Sequence, residues 1–118
     1  MVLILIMGLS GDAFSQDERL STSAFKMPRR PGTVFAHDDH NEKAGISDNC
    51  ALCHHVYKNK KLVPDESSED MACSDCHGLK SAPENGIPLM QAFHEQCKAC
   101  HFKSGKGPVL CGQCHIKK

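Results

Sequence analysis

The eight cysteines of this 118-residue chain fall into four pairs, Cys50 and Cys53, Cys73 and Cys76, Cys97 and Cys100, and Cys111 and Cys114. A histidine follows the second member of every pair: His54, His77, His101 and His115. Residues three and four apart share one face of a helical turn, so two sulfurs at this spacing can form thioethers to one porphyrin edge while the next imidazole lies beneath the iron. That is the attachment chemistry of c-type haem. Zinc sites, disulfides and redox-active dithiols also use CxxC pairs, but none requires a histidine directly after each second cysteine. Chance placement of all four has a probability on the order of one in ten thousand or less. Four covalently attached haem c groups are therefore expected, consuming all eight cysteines.

The histidines left over are His37, His40, His55 and His94, as many as there are irons still wanting a second axial ligand. On a helix His55 points about 100° away from His54 and cannot serve the same iron. His94 precedes His101 by seven residues, two turns along the same face, and cannot readily approach the opposite side of the haem that His101 holds. His37 and His40, three apart, could feed two irons from one turn. The expected iron ligands are thus His37, His40, His54, His55, His77, His94, His101 and His115. Met27, Met71 and Met90 are assigned to packing or the surface, because histidine already meets the demand and Met ligation would raise the potential.

Six-coordinate irons leave no position for a substrate, so no catalytic residue is expected and the reading is a low-potential, outer-sphere electron carrier. The rival is a multihaem reductase of a small molecule or metal, in which His40 or His94 fails to bind and leaves one iron five-coordinate. Carbon monoxide binding to the reduced protein separates the two. A haem-free zinc or disulfide module would show no haem absorbance.

The elements that must position these groups have little core of their own. Trp is absent, there is one Tyr and the mean hydropathy is -0.39. The expected fold is that of a small multihaem cytochrome: short α-helices and irregular loops, little β, and an interior filled by four covalently bound haems. The strongest helix is predicted from about Pro88 to His101, with Leu89, Met90, Phe93, Cys97 and Cys100 at helical spacings, ending before Gly105. A weaker one is predicted from near Pro64 into Cys73, where Asp65 and Glu66 suit a helix start. First cysteines 23, 24 and 14 residues apart exclude a regular solenoid.

Residues 1–15 read as an export signal, with an apolar run from Val2 to Leu9 and a small-x-small site at Ala13-Phe14-Ser15, although no Lys or Arg precedes the run. Residues 16–32 are expected as an extended lead-in and 33–118 as the haem-bearing domain. Export implies a periplasmic protein with no membrane insertion after cleavage. The formal net charge is zero, and no nucleic-acid partner is expected. Two propionates per haem would make the loaded protein acidic except where lysines gather. Lys98, Lys103, Lys106, Lys117 and Lys118 flank the third and fourth sites, against Asp65, Glu66, Glu69, Asp70 and Asp75 around the second. A dipole that steers acidic partners is expected, and the salt dependence of reduction rates would report it.

The run Val34-Phe35-Ala36-His37-Asp38-Asp39-His40, followed by Cys50-x-x-Cys53-His54-His55, resembles the class III cytochromes c, the tetrahaem cytochrome c3 group, and the similarity extends over about residues 33–115. Many members of that group place four residues inside the second and fourth attachment sites. Here there are two in all four, which resembles a distinct subgroup. The resemblance implies that His37 pairs with His54, His55 with His77, His40 with His101, and His94 with His115. It likens Phe35 to an aromatic residue lying between two haems. It also implies hydrogenase or formate dehydrogenase as donor and membrane-bound multihaem complexes as acceptor, in anaerobic respiration of the sulfate-reducing type.

Overall fold

The computed structural model describes residues 18–84 and 86–117; the expected export signal, residues 1–15, lies outside them. In chain order the elements are α1 (His37–Ala44), a 3₁₀ turn (Cys50–Leu52), β1 (Tyr57–Lys58), β2 (Lys61–Leu62), α2 (Cys73–Cys76), α3 (Leu89–Ser104) and α4 (Cys111–Cys114). Short helices, long connections and one two-stranded sheet make up the architecture. Among the described residues Leu89 alone is a buried apolar side chain, at 2% exposure. The polypeptide therefore supplies a scaffold with almost no core of its own.

α1 carries Asp38 and Asp39 in its first turn and Lys43 in its last, charges that complement the helix dipole at both ends. It closes on Gly45, and the Ile46 amide returns to the Asn41 carbonyl at 2.9 Å. α3, the longest element, begins after Pro88 and stops at Gly105, and α2 packs against it. Its ends lie close to the predicted ones because proline presets the first turn and glycine accepts the left-handed exit.

The helix predicted from near Pro64 into Cys73 does not form; only its last residue enters a helix, α2. Just before that segment β1 and β2 make an antiparallel hairpin, Tyr57 opposite Leu62, turned through Asn59 and Lys60 at φ of 50° and 62°. The chain is then tied back: the Ser68 amide donates to the His54 carbonyl at 2.8 Å, and its hydroxyl to the His55 carbonyl at 3.1 Å. Those tertiary bonds hold the segment where a regular helix would have to run, and acidic residues alone do not outweigh them.

Residues 18–32, expected as an extended lead-in, turn back on the chain. Leu20 donates to the Thr33 carbonyl at 3.0 Å and Phe35 to the Glu18 carbonyl at 2.7 Å, around an antiparallel bridge between Arg19 and Val34. The Arg19 guanidinium adds a bond to the Gly32 carbonyl at 2.8 Å.

Candidate haem centres

Each CxxCH motif is one helical turn. In the first, second and fourth, the histidine amide closes onto the carbonyl of the first cysteine, His54 to Cys50 at 2.8 Å, His77 to Cys73 at 2.8 Å and His115 to Cys111 at 2.9 Å. The third lies within α3. That common turn puts both sulfurs on one side with the imidazole one residue on. No two of the eight cysteines are joined in a disulfide. Burial pushes the Cys53, Cys73 and Cys97 thiols above their ordinary pKa, and thiols from other motifs add to this at Cys53 and Cys97. At Cys97, in the middle of α3, these neighbours are Cys53, Cys114 and Cys73, one thiol from each of the other three motifs.

Two of the turns are capped from inside the motif. The Asp75 carboxylate accepts from the Ala72 amide at 2.8 Å, and Gln113 Oε1 accepts from the Val109 and Leu110 amides at 3.1 and 3.0 Å. Both residues stand just before the second cysteine and satisfy amides that a four-residue helix leaves orphaned. Neither residue stands out by composition, although a polar residue at the third helical position is a recognised capping signal.

The eight histidines stand in four facing pairs. Ring centroids are 6.4 Å apart for His37 and His54, 6.1 Å for His55 and His77, 6.2 Å for His40 and His101, and 6.1 Å for His94 and His115. Each pair joins one motif histidine to one from outside the motifs. Two metal–nitrogen bonds of about 2 Å, with ~1.1 Å from nitrogen to ring centre on each side, require roughly 6.2 Å between rings facing across one ion.

The tautomers of five rings follow from their partners. His77 Nδ1 lies 3.0 Å from the Ile87 carbonyl, His94 Nδ1 2.6 Å from that of Met90, His101 Nδ1 2.6 Å from that of Pro108 and His115 Nδ1 2.7 Å from that of Pro31. A carbonyl only accepts, so Nδ1 carries the proton in all four and Nε2 keeps the lone pair that a metal needs. His37 Nδ1 likewise donates to the Asp38 carboxylate at 2.7 Å. Asn41 spans the two histidines of α1, its Oδ1 3.3 Å from His40 Nδ1 and its Nδ2 donating to His37 Nε2 at 3.2 Å. Ligation through that nitrogen of His37 requires the Asn41 amide to turn away. Burial, then His77 and His54, lower the pKa of His55 and favour the neutral ligating form.

Phe35 sits between the α1 histidines, its ring 6.0 Å from His37 and 4.9 Å from His40. Gly107, at φ of 89°, lets the loop after α3 pass close over His101, and a Cβ there would lie 2.7–2.9 Å from that ring. Among the described residues no group of three or more His, Cys, Asp or Glu stands together as a metal cluster would need. No helix of the described residues is long and apolar enough to cross a membrane.

A family model described as the class III cytochrome C family matches residues 15–115. A cytochrome c3 of Maridesulfovibrio salexigens is 34% identical over 105 residues, covering 79% of this chain and 91% of the relative. A cytochrome c3 of Desulfuromonas acetoxidans is 39% identical over 66 residues, 52% of this chain and 94% of the relative. A cytochrome c7 of Geobacter metallireducens is 38% identical over 50 residues, 38% of this chain and 49% of the relative.

Proposed function

The chain belongs to the class III cytochrome c family, as an electron carrier with four covalently attached c-type haems, and from that premise we propose that it is a periplasmic, low-potential carrier with bis-histidine ligation at every iron. The observation that carries this reading is the set of four facing imidazole pairs, each at a separation that suits one metal ion. When bound, haem supplies the one-electron couples.

The residues do the rest. The cysteine pairs would hold each haem through thioethers, and each histidine pair would supply two imidazole ligands to its iron, a donor set that would leave no place for a small-molecule ligand. Acceptors at Nδ1 of His37, His77, His94, His101 and His115 make those rings better donors, and electron-rich ligands favour the oxidised state. Both effects point to low potential. The partners are redox proteins. The finer reading has hydrogenase or formate dehydrogenase as donor and membrane-bound multihaem complexes as acceptor, in anaerobic respiration of the sulfate-reducing type; it rests on the likeness to cytochrome c3.

The test is a pyridine haemochrome ratio combined with carbon monoxide binding. Four haems per chain and no carbon monoxide adduct on the reduced protein are expected. A stoichiometric adduct would favour a reductase with one five-coordinate iron.

A further inference from the structure

The N-terminal hairpin makes a contact that spans 84 residues of sequence: the carbonyl of Pro31 accepts the Nδ1 proton of His115 at 2.7 Å. The acceptors found for His77, His94 and His101 lie within ten residues of them. His115 therefore depends on a distant segment for the bond that sets its tautomer and ring orientation. Pro31 has no freedom in φ, and the Gly32 carbonyl beside it is held by the Arg19 guanidinium at 2.8 Å. The Leu20–Thr33 and Phe35–Glu18 backbone bonds close the hairpin around this point. Gly32 faces the Leu20 carbonyl so closely that any Cβ would collide with it. The glycine is what allows the two strands to approach and brings Pro31 to the ring.

We propose that residues 18–35 are a positioning clamp for the haem that His115 ligates: the hairpin presents the Pro31 carbonyl to His115 Nδ1, fixes Nε2 as the ligating atom, and lowers the potential of that haem alone. This rests on the proposed ligand role of His115. A hydrogen bond from Nδ1 to a carbonyl shifts electron density toward Nε2, fixing the ring's orientation and raising its basicity toward the metal. Because the acceptor is a backbone carbonyl, no side-chain replacement at Pro31 removes it. The hairpin must be loosened instead.

The experiment compares the full-length, haem-loaded protein with Gly32→Ala, which forces the strands apart, and Arg19→Ala, which removes one bond and adds no clash. Haem content, carbon monoxide binding, individual haem potentials by NMR-followed redox titration, and solvent exchange of the His115 Nδ1 proton are measured together. The expected result is full haem loading in both variants, faster exchange of that one proton, and a higher potential for a single haem, larger in Gly32→Ala. Should Gly32→Ala fail to load, Arg19→Ala carries the comparison. Four unchanged potentials, or four that rise together, would overturn the clamp while leaving bis-histidine ligation intact. A carbon monoxide adduct or a missing haem in the unaltered protein would instead overturn the ligand reading beneath it.

Discussion

On the proposed ligand reading, a histidine of this chain works only if one nitrogen is committed and the other is left for the metal. For His77, His94, His101 and His115 that commitment is made by a backbone carbonyl, an acceptor that cannot titrate and cannot rotate away. Gly107 shows how narrow the tolerance is. Its positive φ and its approach to His101 both exclude a side chain, so Gly107→Ala should push the imidazole off its acceptor at Pro108. The expected outcome is a protein with a carbon monoxide-reactive haem, or with one haem fewer by pyridine haemochrome, while wild type shows neither. An unchanged spectrum and full loading would mean the loop absorbs the extra methyl group. All eight histidines were legible as candidate ligands because their number and motif context sufficed, and the structure brings them together in four pairs. Gly107 and Pro31 were not legible, since nothing in a linear sequence says which loop carbonyl will face which ring.

At the scale of elements, the design problem is to make one-turn helices hold still. A four-residue helix has no intrahelical partner for most of its amides, and nucleation is unfavourable. α2 and α4 answer with Asp75 and Gln113, which sit inside the attachment motif and bond the amides leading into it. Gln113→Ala should lower the stability of the holoprotein by about 1 kcal/mol, the usual worth of a helix cap. A denaturant titration followed by Soret absorbance measures it, and an unchanged midpoint would show that the thioethers alone hold the turn. α3 was visible in advance because Pro88, the apolar spacing and Gly105 agree with one another. The segment from Pro64 to Cys73 was misread because its path is dictated by Ser68 bonding to His54 and His55, a tertiary constraint that composition does not record. The β-hairpin before it was likewise unseen, its turn resting on positive φ at Asn59 and at an unremarkable lysine, Lys60.

Across the whole molecule, a chain whose described residues include one buried apolar side chain cannot repay the entropy of folding from its own contacts. The haems must therefore be the core, arranged around α3, whose Cys97 lies within electrostatic reach of one thiol from each other motif. Folding and haem attachment should be one event. A form with all eight cysteines replaced by alanine is expected to show the far-ultraviolet circular dichroism of an unfolded chain and no cooperative melt; a native-like spectrum would contradict this. From the residues alone came the haem chemistry, the number of haems, the supply of ligands and the poverty of the core, because covalent attachment demands a local spacing that no fold can disguise. The resemblance to a family supplied the pairing of histidines. Only the tertiary structure gave the separation within each pair, the carbonyls that orient His77, His94, His101 and His115, and the contact of the N-terminal segment with His115 across 84 residues of sequence. Those are long-range contacts, set by how loops close in space, and a local pattern of residues carries no record of them.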